Sequence, residues 1–445
     1  MLPNGGTLAA DGGGLPSPLA ADELIPASSI KVRGLRKEAR QDGLGVPYVA
    51  VFKKANPTLK GQPGVPPSGL VTIFTAVAEP RRGDSGMVLK FFPTWQKDTA
   101  RVAGRTHTLA ADFSAALAVQ VSRGRNRSLD LYSMLFSDRR IGDMGLYQFQ
   151  PFSSDKKVVV LVHGLMSRPE TWTHAVNAML ADPAIRNQYQ FWYFLYPTGL
   201  PIWGSAAKLR EEIDRFHTEL GPRGQGAALN NKTIVGHSMG GILSNLQVRK
   251  GGMALWSQFS DRSPEDLPVS AEMKALVQRA VFFEARPDIS RVVFMATPHR
   301  GSPFSMRPIS SIGAGLIRLP FETFLVERRN LLLLLREETR PLFAAPANSI
   351  RFLRPNSLLL TSILNLPVPH KVRFHSIVGD RGRGDAPDSS DGIVPYWSSL
   401  FPEAASEKIV ASAHGVNSHP DGIAELIRIL HEDSGRGSRS FKSAD

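Results

Sequence analysis

At 445 residues the chain is longer than one small core requires, so one large domain with an additional subdomain is the natural expectation. With no cysteine, disulfides, thiolate nucleophiles and cysteine-ligated zinc or iron–sulfur sites are excluded, while 42% apolar and 21% charged residues exclude a fibrous or wholly disordered chain. The formal charge of +13 is spread along the whole length, and no helix-turn-helix pattern, zinc spacing or aromatic/basic RNA signature accompanies it, so no specific nucleic-acid partner is expected.

Residues 1–28 are rich in Gly, Ala and Pro and read as a flexible lead. Over 29–150 the apolar runs 48–52, 70–78 and 87–92 are short and separated by Gly/Pro breaks, which predicts a β-rich N-terminal subdomain. Within it, 108–121 fits either a strand or an Ala-rich helix. From 151 to 432 the pattern changes to buried strands at 158–162, 191–196, 233–235, 291–296, 372–378 and 408–411. Amphipathic segments over 206–220, 242–250 and 423–431 alternate with them, the signature of a mostly parallel sheet covered by helices on both faces. Residues 433–445 read as a frayed tail. The longest aliphatic runs, 158–162 and 331–335, fall far short of the ~20 residues a membrane span needs. No signal peptide is visible, which leaves the cytoplasm or, for a mature form, the envelope or a secreted location open.

Three segments carry chemistry. The first, Gly236-His-Ser238-Met-Gly240-Gly241, places a G-x-S-x-G between a short aliphatic strand and a helix. A sharp turn there exposes the Ser238 hydroxyl, and the helix starting at it directs N–H groups at developing negative charge. In the second, the strand 158–162 ends in His163-Gly164-Leu165-Met166, 75 residues before the serine. Its loop ends beside the turn, so the Leu165 and Met239 amides are the candidate oxyanion donors. His163 itself is read as structural.

The third segment supplies an acid and a base after the serine. Four aspartates, Asp380, Asp385, Asp388 and Asp391, follow the strand 372–378. Asp391 is favoured because Asp-Gly-Ile-Val-Pro395 can re-enter the apolar core, with Asp380 next at the strand end. The other three aspartates read as a plain solvated loop; a calcium loop is the competing reading, although the spacing fits no EF-hand and Arg381 and Arg383 lie inside it. After the last strand, His414 stands where an imidazole can reach Ser238, whereas His419, beside Pro420, suits the start of the final helix.

Taken with Gln190-Phe-Trp-Tyr-Phe-Leu-Tyr-Pro-Thr-Gly199 and Phe294-Met-Ala-Thr-Pro-His-Arg-Gly-Ser302, these motifs resemble the α/β-hydrolase superfamily over about 156–432. The branch resembled is that of lipases and esterases, both bacterial lipase-like and GPI inositol-deacylase-like. The resemblance implies an α/β-hydrolase fold with Ser238 as nucleophile, Asp391 as acid and His414 as base. It further implies a carboxylic-ester hydrolase that needs no metal or organic cofactor. An acyltransferase built on the same triad, and an inactive basic scaffold binding membrane or nucleic acid, are the alternatives. Residues 302–371 form an expected cap insertion, Leu-rich around 321–335 with nine basic and four acidic side chains. That composition suits a hydrophobic ester substrate and peripheral contact with an anionic lipid interface. Aromatic residues of 191–196 and Trp203 read first as core, with acyl-pocket lining as the alternative. Oligomeric state is left open.

Overall fold

A computed structural model describes residues 7–10, 17–80, 86–125, 142–221, 227–306, 332, 335–337, 339–340, 349–368, 371–382 and 389–433. Its N-terminal part builds nine strands: β1 (Thr7–Ala10), β2 (Glu23–Pro26), β3 (Arg40–Gln41), β4 (Val46–Phe52), β5 (Leu70–Pro80), β6 (Met87–Phe92), β7 (Thr99–Val102), β8 (Arg105–Thr108) and β9 (Ala111–Asp112). Five of them form one sheet in the order β1-β6-β5-β4-β2. The lead expected to be flexible therefore contributes two strands. Thr7–Ala10 pairs parallel to β6 and Glu23–Pro26 antiparallel to β4. Strand addition needs only backbone donors and acceptors, so a segment poor in apolar side chains can join a sheet edge. In β2, Leu24 and Ile25 also pack against the cores on opposite faces of this sheet. The ambiguous stretch 108–121 divides: β8 and β9 occupy its start, and helix α1 (Phe113–Arg125) takes the rest.

The second sheet has seven strands: β10 (Gly145–Gln148), β11 (Lys157–Val162), β12 (Tyr189–Leu195), β13 (Lys232–His237), β14 (Ile289–Met295), β15 (Arg373–Asp380) and β16 (Ala404–Ala411). Their order is β10-β12-β11-β13-β14-β15-β16, and every pairing is parallel except β10 with β12. The expected boundary at 150/151 thus leaves a strand of the large sheet on its N-terminal side. β10 is only four residues, Gly-Leu-Tyr-Gln, too short to leave the pattern by which a longer strand is recognised.

The aliphatic strands are buried on both faces, as a helix-covered parallel sheet requires. In β11, alternate side chains serve two cores: Val158, Val160 and Val162 face one, Val159 and Leu161 the other, all at most 1% exposed. Each such burial is worth about 1.5–3 kcal/mol. The first core is completed by α3 (Ile202–Leu220) and α4 (Met239–Asn245), the second by α2 (Thr173–Ala181) and the final helix Pro420–Asp433. The helix expected over 242–250 starts three residues earlier, immediately at the serine.

Contacts join the two sheets. Ser114 Oγ accepts from the Ala39 amide at 2.6 Å and donates to Asn177 Oδ1 of α2 at 2.6 Å. Buried Lys156 donates to the carbonyls of Trp95 (2.6 Å) and Arg186 (2.9 Å), and burial pushes its pKa down to about 8. Of the expected cap, Pro303–Met306, Ser349–Phe352 and Leu358–Asn365 are described as helical turns or helix, and most of 307–348 lies outside the described residues. The tail after Asp433, Arg383, Asp385 and Asp388 also lie outside them. Among the described residues no helix is long and apolar enough to cross a membrane.

Candidate active site

Parallel register sets the ends of β11, β13, β15 and β16 at the carboxyl edge of the sheet, pairing Val162 with Gly236, His237 with Met295 and Asp380 with Ala411. Ligand sites of open α/β sheets form outside this edge. All the candidate chemistry comes from loops leaving it.

Ser238 follows β13 directly and caps α4, with φ 54° and ψ −125°. That left-handed backbone is costly for a non-glycine residue, on the order of 1–3 kcal/mol, and persists only where neighbours hold it. The neighbours are close. A Cβ on Gly236 would lie 2.4 Å from Gly241 Cα, and one on Gly240 would lie 2.2 Å from the Val162 carbonyl oxygen. Glycine is required at both positions because the turn presses the first turn of α4 onto β11 and β13.

His414, in the loop after β16, meets the serine. Ser238 Oγ–H donates to His414 Nε2 at 2.9 Å, and His414 Nδ1–H donates to Asp391 Oδ2 at 2.7 Å. Asp391 is 1% exposed, and its other oxygen accepts from the amides of Ile393 (2.8 Å) and Val394 (2.7 Å). Those bonds, with Val394 buried, fix the carboxylate by folding the Asp-Gly-Ile-Val segment back on itself. Asp380 instead accepts from the Gly382 amide at 2.8 Å. His419 Nδ1 accepts from the Asp421 amide at 3.4 Å, at the start of the last helix. Among the described residues no group of three or more His, Asp and Glu comes together to hold a metal ion.

The candidate oxyanion loop packs against Ser238: a Cβ on Gly164 would lie 2.7 Å from Ser238 Cβ. Leu165 follows in that loop. Met239 is the first residue of α4, where an amide has no acceptor within its own helix. His163 is fully buried, its Nδ1–H donates to the Gly164 carbonyl at 3.1 Å, and burial pushes its pKa down to about 4.

Three further residues hold these parts, of which the sequence singled out only Tyr196, and for pocket lining. Tyr196 Oη donates to the His163 carbonyl at 2.7 Å, and Thr198 Oγ1 accepts from the Met166 amide at 3.2 Å, bracketing Gly164 and Leu165 from the loop after β12. Met166 is itself left-handed, with φ 54°. His237 Nε2–H donates to the His414 carbonyl at 2.8 Å. The segment Tyr-Pro-Thr was conspicuous in the sequence, but its bonds go to backbone atoms that no side-chain pattern reveals.

The aromatic residues of 191–196 are core: Phe191, Trp192, Phe194 and Tyr196 are all 0% exposed. Trp203 instead lines an apolar cavity with Trp256, Phe259, Met273, Val277 and Leu359, beside the helix Ala271–Val281.

No protein-family profile and no curated protein sequence matches the chain. Solved structures similar to it include lipases and esterases of the α/β-hydrolase superfamily. The mature form of Bacillus licheniformis lipase BlEst2 is 17% identical, over 64% of this chain and 97% of that chain, with a TM-score of 0.36. Esterase B from Lactobacillus rhamnosis, inhibited by a tributyrin phosphonate, is 15% identical over 72% and 93% of the two chains, TM-score 0.36. Lipase 1 from Pelosinus fermentans is 12% identical over 63% and 99%, TM-score 0.37.

Proposed function

We propose that the chain is a serine hydrolase of carboxylic esters, working through an acyl-enzyme with Ser238, His414 and Asp391 as nucleophile, base and acid. The observation that carries this reading is the unbroken hydrogen-bond chain from Ser238 Oγ through the His414 ring to Asp391, at 2.9 and 2.7 Å. Near-attack geometry already present in the free protein costs nothing at the moment of reaction.

In the proposed cycle His414 Nε2 takes the Ser238 proton as Oγ attacks the ester carbonyl, and Asp391 stabilises the imidazolium without accepting its proton. The Leu165 and Met239 amides hold the oxyanion. Collapse of the tetrahedral intermediate breaks the bond to the alkoxy oxygen, which leaves as the alcohol with the proton from His414. Water, deprotonated by His414, then attacks the acyl-enzyme and releases the acid with Ser238 restored. A hydrophobic acyl group suits the Leu-rich segment 302–371, which we read as a cap, and the part of the chain before β10 as a subdomain outside the chemistry. A p-nitrophenyl ester series from acetate to palmitate, run on wild type and Ser238→Ala, tests the proposal. Turnover lost in the variant supports it, the preferred chain length separates esterase from lipase, and a folded wild type that cleaves no ester overturns it.

A further inference from the structure

The proposed base is held by its ring and also by its main chain. His237, between Gly236 and Ser238, is buried, and its ring centroid lies 4.9 Å from that of His414. Its Nε2 is 2.8 Å from the His414 carbonyl oxygen. Because a carbonyl only accepts, Nε2 carries the proton and Nδ1 the lone pair. Nδ1 is buried with no hydrogen-bond partner among the described residues, so a second proton there would find no acceptor. Burial and the neighbouring His414 push the His237 pKa down to about 3, so the ring stays neutral and remains a fixed donor.

The other bonds of His414 run outward from its ring, to residues 23 and 176 positions away in sequence. Its backbone lies in the loop after β16, which β14 and β15 separate from β13 at the carboxyl edge. The bond from His237 spans that gap and fastens the loop to the residue next to the nucleophile. We propose that His237 is a positioning residue: its Nε2–H holds the His414 main chain against the strand bearing Ser238 and so sets the distance from imidazole to hydroxyl. The proposal rests on the triad reading above. Without the bond, the loop relaxes and the ring samples positions too far from Oγ for proton transfer. The substrate's own contacts are untouched, so the loss falls on kcat and leaves KM in place.

The experiment compares His237→Leu, His237→Gln and His237→Asn with wild type in the full chain. It measures kcat and KM on p-nitrophenyl butyrate, the rate of fluorophosphonate labelling, and thermal melting. A Gln amide nitrogen reaches close to where Nε2 sits; an Asn amide stops near Nδ1. The expected result is a kcat about 10- to 100-fold lower in His237→Leu at unchanged KM, the scale of a misplacement of about 1 Å. Labelling should slow in parallel, and His237→Gln should recover most of the loss. Full kcat in His237→Leu, a loss confined to KM, or equal losses in Leu and Gln overturns the proposal. Should His237→Leu fail to fold, Gln against Asn decides: Gln active and Asn impaired is expected, and equal rates contradict it. Ser238→Ala in the same assay separates the two readings, since activity persisting there overturns the triad itself, whereas activity lost there but kept in His237→Leu overturns only this inference.

Discussion

The elbow after β13 and the acid loop after β15 supply two members of the proposed triad by opposite means. At the elbow, Gly236, Ser238 and Gly240 are fixed by contacts a few residues away and by the adjoining β11, and Met239, Leu243 and Val235 around them are fully buried. In the acid loop, Asp391 is held by the amides of Ile393 and Val394 and by a bridge between Ser390 and Pro395, at the end of a polar stretch whose residues 383–388 lie outside the described residues. The proposed nucleophile thus sits on a strained, close-packed turn and the proposed acid on a short self-bonded one. The first tolerates almost no added atom. The second depends on two amides and one buried carboxylate.

Removing the nucleophile should have the largest effect. Ser238→Ala is expected to lower kcat by about 10,000-fold or more, measured on p-nitrophenyl butyrate with melting unchanged. Next comes the contrast within the acid loop: Asp391→Asn should cost about 1,000- to 10,000-fold in kcat by spoiling the His414 tautomer, while Asp380→Asn stays within a few-fold of wild type. If the two variants fall equally, Asp391 loses its special place. At the elbow, Gly240→Ala drives a methyl into the Val162 carbonyl, and a destabilisation of about 3 kcal/mol or more is expected from denaturant unfolding. A melt like that of the wild type would show the turn to be looser than its contacts imply.

How much of this could be read from sequence follows from the same contrast. Ser238 and the Val-His-Gly strand end were legible because strand, turn and helix are local and need glycine at fixed offsets. Asp391 was legible through Ile393 and Val394, the apolar residues that draw it back into the core. Tyr196, Thr198 and His237 were not, because they bind backbone atoms 32 to 177 residues away. β1 and β2 escaped notice for a related reason: edge pairing by backbone groups leaves little mark on side-chain pattern.

Stability should depend on pH through buried rings. Burial, with neighbouring arginines for His299 and His375, lowers His163 and His375 to about 4, and His237 and His299 to about 3, from the ordinary 6.5. The unfolded chain binds protons that these folded rings refuse, so stability is expected to fall as pH drops from about 6.5 toward 4. Melting temperatures across that window check it, and a flat profile contradicts the burial of these rings as neutral species. The smallest effect is expected at Thr198→Val, which removes the acceptor for the Met166 amide and should lower kcat by about 3- to 10-fold, the scale of one hydrogen bond.

Whether Ser238 is the nucleophile is decided by peptide mass spectrometry after fluorophosphonate labelling of the folded full chain. A single phosphonyl adduct is expected on the peptide containing Ser238, absent from Ser238→Ala. An adduct on another residue, or none on a folded protein, would contradict it.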